Sequence, residues 1–507
     1  MTILEKIKHN AQNNGDKPVY SAENGGGGQS ITWQELDDLS GRLAASLHKN
    51  LKSKKPIIVY GHKDPYMLVC FLACVKAGRA YCPIDISVPL SRVEMIVEEV
   101  EPEIVLSTEL LSIAFEKILS KEEILSLIEN QKEVIDTSNY VSSNEVFYII
   151  FTSGSTGKPK GVQITRECLD HFIQWGISLG GLVEGNDYVF LNQAPFSFDL
   201  SVMDLYLCLY LGGTLWALTK KVQQDMRLLF SCLERSSVNV WVSTPSFADV
   251  CLSDRKFSEK LLPNLAIFLF CGETLTNKTV GRLFTAFPKA NIANLYGPTE
   301  STVAVTDIMI TPEMNCQISP LPVGKEKPGT WIQIVDEEGN VLPEGEKGEI
   351  IIIGNTVSVG YWNNEALNHQ VFGKCEIDGE IYRFYRTGDK GYKKNGLLFY
   401  CGRIDLQIKL HGYRIEVEDI ENNMMKLPDI KQVVVIPQYR GDKVSSLVAF
   451  LVFSTKIEDE FLAVQRIKEQ LKGYLPDYMI PKKMKFLEQL PVTNNGKVDR
   501  KILGGLL

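Results

Sequence analysis

A short apolar run that ends in a glycine-rich loop constrains the fold of this chain more than any other feature. The run VFYIIF, residues 146–151, is rich in β-branched and aromatic residues and predicts a buried strand. The loop TSGSTGKPKG follows at once, from Thr152 to Gly161. After VQI, Thr165 suits the N-cap of a helix with apolar residues at helical spacing. A loop at a strand end is where α/β folds bind ligands.

An earlier segment repeats this alternation of strand and helix. Between Lys55 and Asp85, the run PIIVY predicts a strand, and apolar residues at helical spacing follow until Gly78, which can end the helix. A second apolar run completes a βαβ unit. Such a unit implies a parallel sheet covered by helices.

Beyond about residue 400 the pattern changes. It predicts helices at 417–426 and 459–472, and strands near 432–437, 446–453 and 484–488. We therefore predict an α/β chain in which parallel-rich sheets covered by helices are followed by a compact C-terminal α+β unit, small enough to move as a body.

Composition excludes some classes of partner and site. The formal charge of -8 offers no basic stripe for nucleic acid or anionic lipid. The N-terminal residues lack the apolar run of a signal peptide, and no stretch approaches the roughly 18 apolar residues of a membrane span. We expect a cytoplasmic protein without an integral membrane segment. The 11 cysteines lack ligand spacing and are expected to be reduced thiols, mostly in the core.

The glycine loop has the composition of a phosphate-binding segment. Its glycines allow backbone N–H groups to approach phosphate oxygens, its hydroxyls add donors, and Lys158 and Lys160 supply positive charge. It is not a Walker loop, because the spacing differs and Pro159 would interrupt the expected helix. On composition alone, a flexible surface loop remains an alternative.

The same loop resembles the signature of the adenylate-forming superfamily, which contains acyl-CoA synthetases, luciferases and peptide-synthetase adenylation domains. Further family motifs follow in order: NLYGPTE (294–300), GEI (348–350), YRTGD (385–389), GRIDLQIKLHGYRIE (402–416) and NGKVDR (495–500). The resemblance implies an N-terminal core at 1–402 and a C-terminal lid at 403–507. It also implies that the lid turns about a hinge near Asp405.

The resemblance implies that ATP and Mg²⁺ are the cofactors. Glu300 would orient the metal, and Lys160 would add charge beside the phosphates; the alternative for Glu300 is a surface carboxylate without a role in the site. Tyr296 would stack on adenine, and Asp389 would accept from the ribose hydroxyls, although short YGP and TGD segments are often only turns. The implied ATP-binding residues are Thr152, Ser153, Gly154, Ser155, Thr156, Gly157, Lys160, Asn294, Leu295, Tyr296, Gly297, Pro298, Thr299, Asp389, Tyr400, Cys401, Gly402, Arg403 and Lys497.

Lys497, in NGKVDR, is the implied catalytic residue. A long cation on a mobile lid can bridge the substrate carboxylate and the α-phosphate during attack and then withdraw. Lys497 thus contacts both ATP and the acid substrate in this interpretation. Outside its motif, it would be an ordinary solvated lysine.

The segments FSFDLSVMD and FLFCGE resemble those of stand-alone family members that activate D-alanine. An unpaired Asp199 in this apolar setting would be costly, and a substrate ammonium would compensate it. The rival interpretation is an N-cap for the following helix. Cys271 and Val303 would line the same pocket, with help from Met203, and Cys271 would favour a small side chain and one enantiomer; simple packing is the alternative for Cys271.

The second half-reaction implied by the resemblance transfers the D-alanyl group to a phosphopantetheine thiol on a separate carrier protein. In that step the lid brings His411 and Gly412 to a thiol tunnel, and the product feeds D-alanylation of (lipo)teichoic acid. Alternatives are adenylation of another small amino acid, an acyl-CoA synthetase, a phosphate-transferring kinase and a non-catalytic carrier-binding protein. Asp199 disfavours the acyl-CoA synthetase, and the missing Walker spacing disfavours the kinase.

Overall fold

The computed structural model describes residues 1–23, 28–154, 157–441, 443–454, 459–491 and 498–507. The strands are β1 Pro18–Glu23, β2 Gly28–Thr32, β3 Ile57–Gly61, β4 Tyr81–Asp85, β5 Val105–Ser107, β6 Ile118–Leu119, β7 Val146–Thr152, β8 Lys160–Thr165, β9 Val189–Asn192, β10 Thr214–Leu218, β11 Val240–Ser243, β12 Ile267–Phe270, β13 Asn291–Tyr296, β14 Thr306–Met309, β15 Lys325–Glu326, β16 Thr330–Val335, β17 Gly348–Gly354, β18 Phe372–Ile377, β19 Glu380–Lys394, β20 Leu397–Arg403, β21 Gln407–Leu410, β22 Tyr413–Glu416, β23 Ile430–Arg440, β24 Lys443–Phe453 and β25 Lys483–Phe486.

The helices are α1 Ile3–Asn13, α2 Trp33–Asn50, α3 Pro65–Lys76, α4 Leu90–Val100, α5 Lys121–Asn130, α6 Arg166–Gly176, α7 Leu200–Leu211, α8 Lys220–Gln224, α9 Met226–Glu234, α10 Pro245–Cys251, α11 Asn277–Ala286, α12 Pro312–Gln317, α13 Glu365–Val371, α14 Val417–Met424, α15 Glu460–Leu471 and α16 Arg500–Gly505.

Two large sheets form the N-terminal part of the molecule. One has the strand order β15-β14-β13-β12-β11-β9-β10-β1-β2, and its six inner strands from β13 to β1 are parallel. The other has the order β6-β5-β3-β4-β7-β8, in which only β8 runs antiparallel to its neighbour. The predicted α/β class with parallel-rich sheets is confirmed.

The main core lies between these sheets and contains helices α3 and α7. Every residue of α7 is buried, which explains why its sequence LSVMDLYLCLYL is apolar on all sides. Tyr81 and Phe147 of one sheet and Phe190 of the other belong to the same apolar cluster. This packing fixes both sheets relative to α7, whose N-cap position is occupied by the candidate substrate residue Asp199.

The predicted βαβ unit between Lys55 and Asp85 is present as β3, α3 and β4, with β3 and β4 parallel. The predicted strand at 146–151 is β7, and the Thr165 hydroxyl caps α6 by accepting from the Cys168 N–H at 3.2 Å. One difference concerns the glycine loop. It joins two antiparallel strands, β7 and β8, because Lys160–Thr165 pairs back onto β7 before α6 begins.

The C-terminal part contains the β21–β22 hairpin and a second sheet of order β23-β24-β25. The predicted helices and strands of this region are present as α14, α15, β23, β24 and β25, with β23 and β24 longer than expected. An antiparallel sheet of β16 to β20 precedes it and was not predicted. The division at residues 402 and 403 stays a prediction.

Two further sequence expectations concern the cysteines and membrane-spanning segments. Eight of the eleven cysteines are buried, in line with packing roles. Within the described ranges, none of the helices combines the length and apolar character needed to cross a bilayer.

Candidate active site

The glycine loop begins where β7 ends and places polar groups at the edge of the six-stranded sheet. A Cβ on Gly154 would lie 2.2 Å from the carbonyl oxygen of Lys158, so the tight turn requires glycine there. The buried hydroxyl of Thr152 has no hydrogen-bond partner within the described part of the chain. Gly157 closes the turn with φ 80°. Ser155 and Thr156, also expected to bind phosphate, lie outside the described residues.

Glu300 lies at the centre of a charged cluster beside this loop. Its side chain is fully buried, so the alternative of a surface carboxylate is wrong. It accepts from Arg414 Nη1 at 2.6 Å and from the Tyr361 hydroxyl at 2.6 Å. Burial opposes ionisation, but the cations of Arg414 and Lys160 outweigh it and lower the pKa of Glu300 to about 2. Glu300 is therefore a buried anion across the physiological pH range.

Tyr296, Tyr400 and Arg403, which are expected to bind the nucleoside, line a cavity of about 670 Å³ between the N-terminal part and the C-terminal unit, whereas Asp389 lines a smaller one. The Tyr296 hydroxyl donates to Asp389 at 2.6 Å, and Arg403 Nη1 donates to the other oxygen of Asp389 at 2.9 Å. The Tyr296 and Tyr400 rings lie 5.9 Å apart. A carboxylate held between a phenol and a guanidinium is suited to accept from ribose hydroxyls, and two aromatic rings are suited to a purine.

The other predicted nucleoside-binding residues occupy different positions around this cavity. Asn294 and Leu295 are buried on β13, and the Asn294 amide donates to the Pro322 carbonyl at 2.8 Å. Gly297 and Gly402 also line the cavity, whereas Cys401 is exposed and is absent from its lining. Pro298 lines a second, smaller cavity.

This smaller cavity, of about 40 Å³, brings together Asp199, Cys271, Val303 and Thr299. The Thr299 hydroxyl donates to Asp199 at 2.7 Å. Asp199 occupies the N-cap position of α7 but makes no capping hydrogen bond, which weakens the rival interpretation as a cap. Burial raises the pKa of Asp199 to about 6, so a cation that enters the cavity would restore its full charge. Met203, by contrast, belongs to the core and does not line this cavity.

The cavity wall at Val303 has an unusual backbone. Thr302 and Val303 have φ of 62° and 68°, a conformation that β-branched residues rarely adopt. The Thr302 hydroxyl donates to the Thr356 carbonyl at 2.8 Å and holds this turn in place. The Val303 carbonyl consequently faces Cys271, whose Sγ lies 3.7 Å from it. Burial raises the pKa of the Cys271 thiol to about 12, which excludes a nucleophilic role near neutral pH.

The β21–β22 hairpin of the C-terminal unit reaches into this region. His411 and Gly412 form its two-residue turn with φ of 53° and 86°, the pattern of a type I′ hairpin. The Gly412 N–H donates to Glu273 at 2.7 Å. A Cβ on Gly412 would lie 2.3 Å from Cγ2 of Thr244, so only glycine fits. Gly412, one of the two residues assigned to the thiol tunnel, thus contacts the N-terminal part directly.

Asp405, the predicted hinge, follows β20 and accepts from Arg403 Nε at 2.9 Å. Lys497, the predicted catalytic residue, lies outside the described residues. Of the other predicted site residues, those of the nucleoside and amino-acid sites line the two cavities, except for Cys401 and Met203, and His411 and Gly412 lie on the hairpin.

Four residues without a role in the sequence-based interpretation also belong to this site. Lys409, between the buried Ile408 and Leu410 on β21, lines the small cavity with Asp199. Glu273 anchors Gly412, and Arg414 and Glu416 contact Glu300 and Lys160. The alternation of charged and apolar residues in the strand YRIE was the available signal for the last two.

Comparisons with known proteins agree with this geometry. The family model "AMP-binding enzyme" matches residues 7–362, and "AMP-binding enzyme C-terminal domain" matches 419–497. The chain is 47% identical over 506 residues to a D-alanine–D-alanyl carrier protein ligase of Bacillus licheniformis, and 45% identical over 508 residues to one of Bacillus thuringiensis; each alignment covers 99% of both chains.

Among solved structures, the Vibrio cholerae adenylation domain AlmE in complex with glycyl-adenosine-5′-phosphate aligns with a TM-score of 0.83 and 22% identity. That alignment covers 99% of this chain and 97% of the other, and at this identity it supports the fold alone. The full-length matches at 45–47% identity are more specific. The chain therefore belongs to the AMP-binding enzyme family and, within it, to the D-alanine–D-alanyl carrier protein ligases.

Proposed function

We propose that this chain uses ATP to convert D-alanine to D-alanyl-AMP with release of pyrophosphate. It then transfers the D-alanyl group to the phosphopantetheine thiol of a separate carrier protein, for D-alanylation of (lipo)teichoic acid. The observation that carries this proposal is the buried pair of Asp199 and Thr299 in a cavity that also reaches Asp389 and Arg403. An ammonium site and a ribose site therefore lie within one continuous space.

The amino-acid end of the site selects a small zwitterion. Asp199 supplies the counter-ion for the α-ammonium, and the hydrogen bond from Thr299 fixes the orientation of its carboxylate. Cys271 and Val303 narrow the space next to it, which leaves room for a methyl group but disfavours larger side chains. The full-length relatives named for D-alanine support this choice of substrate.

The nucleotide end of the site holds ATP so that the substrate carboxylate can attack the α-phosphorus. Asp389 accepts from the ribose, Tyr296 and Tyr400 enclose the base, and the glycine loop with Lys160 neutralises the phosphates. Catalysis then depends on positioning and charge, since a nucleophilic carboxylate needs no base. Lys497 completes this arrangement in our proposal by bridging the carboxylate and the α-phosphate.

Glu300 fits a role in holding magnesium. In the described ranges, no group of three or more His, Cys, Asp or Glu side chains could bind a metal by itself. A site with one carboxylate suits Mg²⁺, which takes its other ligands from phosphate oxygens and water. When bound, the ion would neutralise charge that develops on the phosphates. Glu300 is buried and ionised for this purpose, next to Lys160 and the glycine loop.

The second half-reaction requires access for a thiol rather than a strong base, because the mixed anhydride is already activated. The close contact of Gly412 with Thr244 and Glu273 places the hairpin turn next to the small cavity. We propose that the phosphopantetheine arm reaches the adenylate past this turn. The need for ATP and for a phosphopantetheinylated carrier favours a cytoplasmic location.

ATP–pyrophosphate exchange with a panel of D-alanine, L-alanine, glycine and L-serine tests the first half-reaction. We expect D-alanine to give the highest kcat/KM, and exchange that favours another amino acid would contradict the substrate assignment. Loading of radiolabelled D-alanine onto a phosphopantetheinylated D-alanyl carrier protein tests the second half-reaction. Exchange without loading would contradict the transfer step alone.

A further inference from the structure

A buried lysine that lines neither cavity contacts the chain segment just before Asp199. Lys63 is only 2% exposed. Its Nζ donates to the side-chain oxygen of Asn192 and to the carbonyl of Ala194. It also lies 4.5 Å from the centre of the Phe196 ring, a cation–π contact. All three partners precede Asp199 closely in the chain, so Lys63 holds the segment that carries the proposed ammonium site.

Lys63 and its partners come from different sheets. Lys63 lies in the turn between β3 and α3, and β3 is part of the six-stranded sheet, whereas Asn192 ends β9 of the nine-stranded sheet. The backbone of Lys63 has a φ of 47°, a left-handed conformation that a lysine rarely adopts. Asp64, the next residue, caps α3 and fixes this turn. Backbone strain of this kind persists where the surrounding structure enforces it, and it points to a role for the residue.

The residues between Ala194 and Asp199 form a compact link that can transmit this hold. The Phe198 N–H donates to the Pro195 carbonyl at 2.9 Å and closes a turn. Helix α7 begins directly after Asp199. The place of the Asp199 carboxylate is therefore set by the anchored Ala194 on one side and by α7 on the other.

The small cavity depends on this placement, because its wall is assembled from separate parts of the chain. Phe198 and Asp199 come from the anchored segment. Thr299, Cys271 and Val303 come from other parts of the chain. A hydrogen bond of 2.7 Å from Thr299 to Asp199 joins the two sides. A shift of the segment would alter the ammonium site, whereas the proposed base and ribose contacts lie on other elements.

Asp204 belongs to the same buried network but contacts the segment only through Asn192, whose amide donates to it at 2.8 Å. Burial lowers the pKa of Lys63 and raises the pKa of Asp204. An amine in either charge state has hydrogens for both Asn192 and Ala194, so the hold on the segment does not depend on these charges. D204N can keep the hydrogen bond from Asn192, because an asparagine side chain also offers an oxygen.

We propose that Lys63 is a positioning residue for the amino-acid substrate, which holds Asn192 and Ala194 and thereby sets the place of the Asp199 carboxylate. This inference rests on the proposed function, because it takes Asp199 as the partner of the α-ammonium. Lys63 itself does not contact the substrate. Its effect is confined to the D-alanine end of the site.

The test compares the KM for D-alanine with the KM for ATP, both measured by ATP–pyrophosphate exchange on the full-length enzyme. K63M keeps an apolar side chain of similar length but removes the donor. We expect K63M to raise the KM for D-alanine about tenfold or more, and to leave kcat and the KM for ATP within about threefold. K63Q keeps one amide donor and should raise the KM for D-alanine less. Circular dichroism and melting temperature establish that each variant is folded, and K63Q carries the test if K63M does not fold.

The matched control is K76M. Lys76 is also 2% exposed, but its Nζ donates to Asp37 and Ser40 of α2, away from the segment that carries Asp199. K76M should lower the melting temperature and leave both KM values within about threefold. An unchanged KM for D-alanine in the folded Lys63 variant, an equal rise of both KM values, or the same rise in K76M would overturn the proposal. Absence of D-alanine-dependent exchange in the wild type would instead contradict the proposed function.

Discussion

At the scale of single residues, our proposal makes the Asp199 carboxylate the group that decides which class of acid the site accepts. Among the described residues, the only hydrogen-bond partner of its side chain is the Thr299 hydroxyl, which cannot neutralise its charge. We expect D199N to raise the KM for D-alanine at least about 100-fold, roughly 3 kcal/mol, because the α-ammonium loses a buried counter-ion. The KM for ATP should stay within about threefold. ATP–pyrophosphate exchange at varied concentrations of each substrate measures both.

Asp204 offers a matched control for this substitution. It is a buried aspartate on the same helix, but it accepts from the Asn192 amide at 2.8 Å and does not line the small cavity. D204N should lower the melting temperature without a specific change in the KM for D-alanine. Equal effects of D199N and D204N on that KM would contradict an ammonium site at Asp199.

The pKa of Asp199 predicts how activation depends on pH. Because burial raises this pKa to about 6, the free enzyme loses the carboxylate form as the pH falls through that value. Ammonium binding requires the carboxylate form, so kcat/KM for D-alanine should fall about tenfold for each pH unit below about 6. Exchange assays between pH 5 and 8 measure this profile. The acidic limb should be absent in D199N, and a limb that persists there would assign the titration to another group.

Cys271 controls the space beside the substrate Cα in our proposal. Its sulfur packs 3.7 Å from the Val303 carbonyl, and its raised pKa leaves it an uncharged packing group. We expect C271A to raise kcat/KM for L-alanine relative to D-alanine by about tenfold, because the cavity gains volume on one side. Exchange with each enantiomer gives the ratio, and C271S, which keeps a side-chain atom there, should change it less. An unchanged ratio of kcat/KM for L-alanine to that for D-alanine in C271A would contradict a role of Cys271 in enantiomer selection and leave it only a packing role.

The sequence could predict some of these residue assignments better than others. The position of Asp199 in its motif indicated a substrate-binding residue, but its local sequence also fitted a helix N-cap. The absence of a capping hydrogen bond in the structure favours the proposed ammonium site. The motif HGYRIE contained Arg414 and Glu416, yet their partners lie more than 110 and 250 residues away, at Glu300 and Lys160. Local patterns do not specify such distant pairings.

At the scale of elements, the β21–β22 hairpin is the smallest unit to which our proposal gives a role in the reaction, because its turn lies next to the small cavity. Its strands have four residues each, too short for a convincing alternation, and the HG turn is a weaker signal than NG or DG. The longer helices and strands of the same region were predicted, because their periodicity extends over more residues. Close packing of the turn against Thr244 explains the glycine that the sequence only suggested.

Gly412 provides a test of this hairpin. We expect G412A to slow transfer from D-alanyl-AMP to the carrier about tenfold or more, because the added Cβ would lie 2.3 Å from Cγ2 of Thr244 and push the turn away. Exchange should stay within about threefold. Single-turnover loading from pre-formed adenylate measures the transfer step.

Gly441 is the matched control for backbone strain. It also has a positive φ, of 65°, but a Cβ there would meet nothing within 4 Å. G441A should therefore leave transfer unchanged. The double variant G412A/T244S removes the opposing methyl group and should recover part of the rate. A loss of transfer rate in G441A as large as in G412A would show that backbone strain alone is responsible, and would contradict a role for the contact between the turn and Thr244.

At the scale of the whole molecule, the parallel-rich sheets could be predicted, whereas the antiparallel sheet of β16 to β20 could not. Its strands carry polar residues on one face and include β19, whose residues 380–394 contain two glycines and five lysines and arginines on a single strand. The position of the lid, in contrast, is not specified by a single pattern in the sequence. Glu300 and Lys160 can be satisfied either by the hairpin or, in our proposal, by magnesium pyrophosphate, so one sequence encodes two arrangements.

Two arrangements of one lid predict opposite defects in the two half-reactions. In the arrangement described, the hairpin turn contacts Thr244 and Glu273, which we assign to thiol transfer. Lys497 is assigned to the other arrangement, so K497A should lower exchange with D-alanine by about 100-fold or more and leave transfer from pre-formed D-alanyl-AMP within about threefold. G412A should do the reverse. Exchange and single-turnover loading on both variants measure this, and equal loss of both steps in K497A would contradict a lid that works in alternation.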